Sequence, residues 1–326
     1  MNANQKKKSR FSCCGCCSMI LLGVIVLVVV PGPLLQLFAA PRMHAAIAET
    51  YPPPGQVYDV DGAKMHIDCK GQGSQTVIIM NDNTSQSLEW RDVQAMLAGD
   101  ARICLYDYLG HGWSGTTFRA RSAENIADEL DGLVKAAGIA PGFVLVGDAF
   151  GSIYARMFAW RHPNQAGALL LVNAFAGSPD EISGKIDQFV FIELAFAPLG
   201  SYNWVLSKLN GEPNEGVDCL PWMNNSDCGP WRAWSIDAYT MQTQAFEALS
   251  FQKAWRSLME PQVQYGDLPI VILDTEQSAP NDTDIYNADI LGRTTNGRIQ
   301  IVPGEVSFMI HESPQSFVDA VKALLH

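Results

Sequence analysis

The sequence predicts an α/β protein: a mostly parallel sheet with helices on both faces and an inserted helical lid. Three observations carry this expectation. Short β-rich runs, "AKMHIDCKG", "TVIIMN", "ARICLYDY", "FVLVGD" and "ALLLVNA", alternate with amphipathic helical patterns such as "SLEWRDVQAMLA" and "SAENIADELDGLVKAAG", and strand–helix alternation buries a parallel sheet between two helical layers. The stretch "FVLVGDAFGSIYARMFAWRHP", residues 143–163, reads as a buried strand, a tight glycine turn and a helix. Near residue 178 the alternation stops, and it resumes only with "LPIVILDTE", "GRIQIVPG" and the terminal helix "PQSFVDAVKALLH".

Taken in order, residues 1–18 form a basic, cysteine-rich tail and residues 19–40 an apolar run interrupted by Gln36. About 20 apolar residues span a bilayer core. Lys6, Lys7, Lys8 and Arg10 precede the run while only Arg42 follows closely, so the positive-inside rule predicts a signal-anchor with a cytosolic N-terminus and the body in the ER or secretory lumen or outside the cell. A cleaved signal peptide is the alternative, with "FAA" at 38–40 as its small residues, but the run exceeds the usual apolar region of about 7–15 residues. Pro31 and Pro33 bear on where the run ends. Residues 41–177 are expected to form the first part of the core, 178–265 the lid and 266–326 the second part of the core. The lid segment is rich in Trp, Phe, Met and Leu, and its place over the carboxyl edge of the sheet is where open α/β sheets take ligands.

Composition narrows the partners. The net charge is −12 with four cations and no acid in the first 40 residues, so the body is more acidic than the whole chain and repels nucleic acid. Of eight cysteines, Cys13, Cys14, Cys16 and Cys17 lie beside the anchor, where S-acylation is the natural reading and a metal site, lacking a nearby histidine, the weaker one. The remaining four, in a lumenal body, predict the disulfides Cys69–Cys104 and Cys219–Cys228. Sequons at Asn83, Asn224 and Asn281 are candidate glycosylation sites. No cofactor or metal site is expected.

The motifs "CKGQGSQTVII" at 69–79, "YDYLGHGWSG" at 106–115 and "LVGDAFGS" at 145–152, in that order, make residues 55–326 resemble the α/β-hydrolase superfamily. The likeness is to its single-pass membrane-anchored subgroup, which reads "C-x-G-x-G-x-x-T-V", "YDR-x-G-x-G-W-S" and "L-V-G-H-S-x-G-G". The resemblance implies that Cys69 and Cys104 lie on neighbouring strands. It also implies a Ser/His triad, and here the sequence departs from the family. Ala149 stands at the tip of the G-x-S-x-G turn, where the family carries its serine. Counting back from Pro314, the family histidine position falls on Ser307. The loop "NDNTSQS" places Asp82 and Thr84 where oxyanion-loop glycines would align, and a carboxylate there opposes a developing oxyanion.

These departures leave two main readings and a third. In the first, carboxylates perform acid–base chemistry on a hydrophobic small molecule, such as epoxide opening or cyclisation. Asp82 and Asp148 are the main candidates, with Asp274, Glu276 and Asp282 in "DTEQSAPNDTD" as further acids, since desolvation and a like-charged neighbour raise a carboxyl pKa toward neutrality. Asp274 and Phe150, beside the turn, are candidate pocket residues. By family analogy with epoxide hydrolases, Tyr202 and Tyr239 of the lid are candidate proton donors. In the second reading the protein is a pseudoenzyme that binds a lipid-like ligand or a protein; Asp148 then caps loop amides and Asp82 is a turn residue. The third is an atypical ester hydrolase. Asp148 as a nucleophile would need a register shift that displaces Gly147 and Gly151, His311 reads as a surface or helix-entry residue, and His111 as an orienter of its loop. Trp204, Trp222, Trp231, Trp234 and Trp255 read as lid core.

Overall fold

The computed structural model describes residues 31–174, 179–210, 218–275, 283–303 and 314–325. Its organising element is an eight-stranded sheet in the order β1-β2-β4-β3-β5-β6-β7-β8. The strands are β1 Gln56–Val60, β2 Ala63–Lys70, β3 Thr76–Met80, β4 Arg102–Tyr106, β5 Phe143–Asp148, β6 Ala166–Val172, β7 Ile270–Thr275 and β8 Gly297–Val302. The pairs from β4 through β8 are parallel, whereas β1 and β2 add antiparallel strands at one edge. β1 and β2 are joined by Asp61-Gly62, both at positive φ (51° and 81°), as a two-residue primed turn requires. β5 and β7 are buried along their whole length, the condition of parallel strands covered on both faces.

The helices follow from the faces they cover. α2 Arg91–Leu97 and α9 Pro314–Lys322 bury Val93, Leu97, Phe317 and Val321, with Trp90 just before α2, against one face of the sheet. On the other face, α3 Ala123–Ala136 and α4 Phe150–Arg161 pack Leu130, Leu133 and Phe158. The predicted lid stretch holds α5 Pro179–Asn210, α6 Asn225–Ser235 and α7 Ala238–Met259. Phe251, Trp255 and Leu258 of α7 belong to the same buried cluster as α3 and α4, so this helix shares the core of the sheet. α8 Thr283–Leu291 lies between β7 and β8. Cys69 faces Cys104 across the β2/β4 register, and the two are bonded, as are Cys219 and Cys228.

A helix that the sequence reading divided precedes the sheet. α1, Pro31–Thr50, runs through the expected anchor–body boundary at residue 40, and the segment from Gln36 onward belongs to the folded body. Ala39 is buried, and Ala40, Met43 and Ile47 are buried in a cluster with Trp113, Trp231, Trp234 and Tyr239. The physical reason is the polar residue that interrupted the apolar run: the Gln36 amide donates to Ala238 O at 2.8 Å and its carbonyl accepts from Ser201 Oγ at 2.9 Å, so both ends of the side chain find partners in protein. Eight residues on, His44 faces the Asp237 carboxylate at 2.6 Å through Nδ1 and Ser114 O at 2.7 Å through Nε2. Burial opposes charging this imidazole, but the charge and hydrogen bond of Asp237 outweigh it and raise its pKa. Among the described residues no helix is long and apolar enough to cross a membrane; residues 19–30 lie outside them.

Candidate active site

The turn after β5 keeps the shape its glycines foretell. Ala149 has φ 47° and ψ −113°, a left-handed conformation that costs a non-glycine residue about 1–3 kcal/mol. Packing holds it there. A Cβ on Gly151 would sit 2.0 Å from Met80 O, and one on Gly147 would lie 2.6 Å from Gly151 O, so the strand, turn and helix approach more closely than any other residue permits. Ala149 N donates to Val172 O at 3.0 Å, and Ser152 Oγ donates to Ala149 O at 2.6 Å. The tip therefore presents a methyl group, which has no lone pair with which to attack a carbonyl.

The N–H that follows the tip is the group which, in such an elbow, receives a developing oxyanion. Here it already has a partner: Phe150 N donates to Asp82 Oδ1 at 3.1 Å. The other oxygen, Oδ2, accepts from Thr84 N at 3.3 Å and from Thr84 Oγ1, an Asx-type turn in the β3–α2 loop. Despite these donors, desolvation holds the Asp82 carboxyl above the ordinary carboxylate range.

Asp148 is the second carboxyl of the site. It is buried and accepts from Asn173 Nδ2 at 3.1 Å through Oδ1; Asn173, at φ 49°, turns the chain at the end of β6. Burial first, and then the charges of Asp82 and Glu89, push the Asp148 carboxyl up to about 8. Glu89 completes the cluster. It accepts from Trp231 Nε1 at 2.9 Å and Gln86 N at 3.1 Å, and desolvation raises its pKa as well. Sequence reasoning missed Glu89 and Asn173. The first had a legible signal, the Gln86-x-x-Glu89 capping pattern at the start of a short helical turn.

α7 lies over this region. Phe150 is half-buried and its ring packs against Phe251 at 4.7 Å, and the "GHGWSG" loop is pinned from the same helix, His111 Nε2 facing Glu247 Oε2 at 3.2 Å. Glu247 also takes Arg121 Nε at 3.2 Å, and Arg121 reaches both Glu129 oxygens at 2.9 Å. His111 thus orients its loop.

Several expected site residues lie elsewhere. Tyr239 is not at the elbow: its hydroxyl donates to Thr117 O at 2.6 Å and accepts from Thr117 N at 2.9 Å, tying α7 to the loop before α3. Asp274 is buried and turned inward, accepting from Thr275 N at 2.8 Å and Asn287 Nδ2 at 3.3 Å. Asn83 is fully buried and its amide points to Gln244 O at 3.5 Å, so in the folded protein no glycan can reach it. Asn224 is exposed but caps α6, its Oδ1 accepting from Ser226 N and Asp227 N. The side chain of Tyr202, and residues Glu276, Asn281, Asp282, Ser307 and His311, lie outside the described residues. Of the tryptophans expected to form lid core, Trp231 and Trp234 are buried in the cluster with α1, Trp255 is buried in the core of the sheet, and Trp222 is exposed.

Comparison with known proteins agrees with this architecture. No family model matches the chain. An uncharacterized protein of Schizosaccharomyces pombe is 27% identical over 179 residues, 45% of this chain and 34% of that protein. A 2-hydroxy-6-oxononadienedioate/2-hydroxy-6-oxononatrienedioate hydrolase of Paraburkholderia xenovorans is 27% identical over 132 residues, 39% of this chain and 45% of the enzyme. The matches thus span between a third and a half of these relatives' length. Among solved structures, an α/β-hydrolase from a deep-sea metagenome library superposes with a TM-score of 0.60 at 15% identity, covering 82% of this chain and 96% of its own. The epoxide hydrolase CorEH gives 0.62 at 15% identity, covering 82% and 97%. The chain has the α/β-hydrolase fold.

Proposed function

We propose that the elbow is a carboxyl acid–base centre acting on a hydrophobic small molecule, and that acyl transfer through a serine and histidine is not its chemistry. The observation that carries this reading is the pairing of Asp82, seated on Phe150 N–H, with Asp148, whose carboxyl is pushed up to about 8. With its carboxyl pushed up to about 8, Asp148 keeps its proton at neutral pH, and the charge of Asp82 is among the causes that hold it there, a division of roles suited to general acid–base catalysis. Opening a strained ring fits it. Asp148 gives its proton to the epoxide oxygen as the C–O bond breaks. Asp82 takes the proton of the attacking hydroxyl or water, and proton transfer between the two carboxyls resets them.

A second reading, a non-catalytic binder, is favoured by one specific contact: the Asp82–Phe150 bond fills the donor a substrate oxygen would use. The expected anchor of residues 19–40, in its part before Gln36, would hold the chain in the membrane, with the body on the oxidising side, where its two disulfides persist.

The discriminating experiment exposes the full-length protein in detergent to panels of epoxides and activated esters, beside Asp82→Asn and Asp148→Asn. Epoxide opening that disappears in both variants, with no ester turnover, supports the acid–base centre. Silence on both panels together with ligand-induced thermal stabilisation selects the binder.

A further inference from the structure

We propose that the face formed by α1, α5, α7 and the loop before α3 is a second membrane contact, and that the cleft within it takes an acyl chain of a bilayer lipid. This rests on the reading of the apolar run from residue 19 up to Gln36 as a membrane anchor. The cleft, of about 920 Å³, is separate from the elbow and is lined by Leu37 of α1, Phe118 of the loop, Leu194 of α5 and Phe246 and Leu249 of α7. Its volume lies within the roughly 300–1,000 Å³ of small-molecule sites. All five apolar side chains are exposed, Phe118 at 95%, and Phe38 beside Leu37 is exposed as well. A soluble monomer rarely leaves so many large apolar groups together in water.

Chain continuity identifies what covers them. The apolar run continues past Pro31 into α1 and, beyond Gln36, includes Leu37 and Phe38 of this face. Gln36 and His44 fix α1 to the body, so the helix cannot carry Leu37 away from the face. A segment that leaves the bilayer near Gln36 therefore places Leu37 and Phe38 at the membrane surface, where monotopic apolar faces sit about 5–10 Å into the headgroup boundary. The same surface is crossed at its rim by Arg119 and Lys253, cations that can remain at headgroup level while their stems lie against lipid.

The test uses the full chain in phosphatidylcholine vesicles containing a lipid with a diazirine in its acyl chain, with adducts mapped by mass spectrometry after illumination. Adducts are expected on peptides carrying Leu37–Phe38, Phe118 and Phe246–Leu249, and not at Met96 on α2 or Ile299 on β8, which are exposed apolar residues elsewhere. Phe118→Asp with Phe246→Asp should lower labelling of the face at least fivefold and leave labelling of residues 19–30 unchanged. Adducts in residues 19–30 with none on the face overturn the contact and keep the anchor. No adducts anywhere overturn both. Labelling of Met96 and Ile299 equal to that of the face, or protection of the face by a second copy of the chain, also overturns the proposal.

Discussion

Replacing Asp148 by asparagine should stabilise the protein, and the gain should grow with pH. The carboxyl is buried, and its pKa is moved from 3.8 to about 8. A group whose folded pKa is raised favours folding fully below its unfolded value, and that contribution is lost as pH rises through the folded value. Each pH unit between the two is worth about 1.4 kcal/mol. By pH 7, about three units above 3.8, the folded state has lost about 4 kcal/mol relative to acid, and above pH 8 about 6 kcal/mol. Asparagine has no proton to lose, and its carbonyl oxygen can still accept from Asn173 Nδ2. Urea unfolding of both proteins from pH 4 to 9 should therefore show a stability difference that rises by about 1.4 kcal/mol per unit and levels off near pH 8. Parallel pH profiles for the two proteins would refute the reasoning, because they would mean that Asp148 ionises alike folded and unfolded. A gain of this kind, at a position proposed to act in catalysis, is the usual trade between stability and activity.

Other outcomes follow from the same geometry. Ala149→Ser should restore a hydroxyl but no esterase activity, since Asp82 still occupies Phe150 N–H; hydrolysis of p-nitrophenyl esters and labelling by a fluorophosphonate check this, and a burst of acyl-enzyme would contradict it. Gly151→Ala should destabilise the fold by about 3 kcal/mol or more, because its methyl would meet Met80 O at 2.0 Å, a loss readable by thermal unfolding. Below about pH 6.5, His44→Ala should cost about 3–5 kcal/mol by leaving the buried Asp237 without its cation, and protease cutting near residue 50 would accelerate. With His44 intact, its raised pKa predicts that the tie is fully present below about pH 6.5 and is lost as pH rises through the folded value; chemical shifts of the imidazole across pH 5–9 report it.

The central architecture was legible because apolar runs such as "VLVGD" and "IVILD" have few alternatives to a doubly covered strand, and β5 and β7 are buried on both faces. The elbow was legible for a related reason: two glycines four residues apart mark a close approach that side chains forbid, and both close approaches are present at Gly147 and Gly151. β1 was missed because "QVYDV" is half polar and mostly exposed at the edge. The site was only half visible. Asp82 and Asp148 could be named from motif position, yet the bond from Phe150 N to Asp82 depends on how the loop after β3 curls, which no periodicity encodes. Tyr239 misled because a lid tyrosine carries no mark of which opening it faces. His44, sited just beyond an apolar run, gave no sign that its partner, Asp237, lay 193 residues away.

The turn at residue 149 owes its form to its surroundings and not to its apex: Met80 O, Gly151 O, Val172 O and Ser152 Oγ fix it, and the side chain at its apex takes no part. Form and reactivity are therefore separable properties of this bend. A survey that recognises hydrolytic enzymes by backbone shape would count this protein among them, while an inventory of the nucleophilic atoms on that backbone would not.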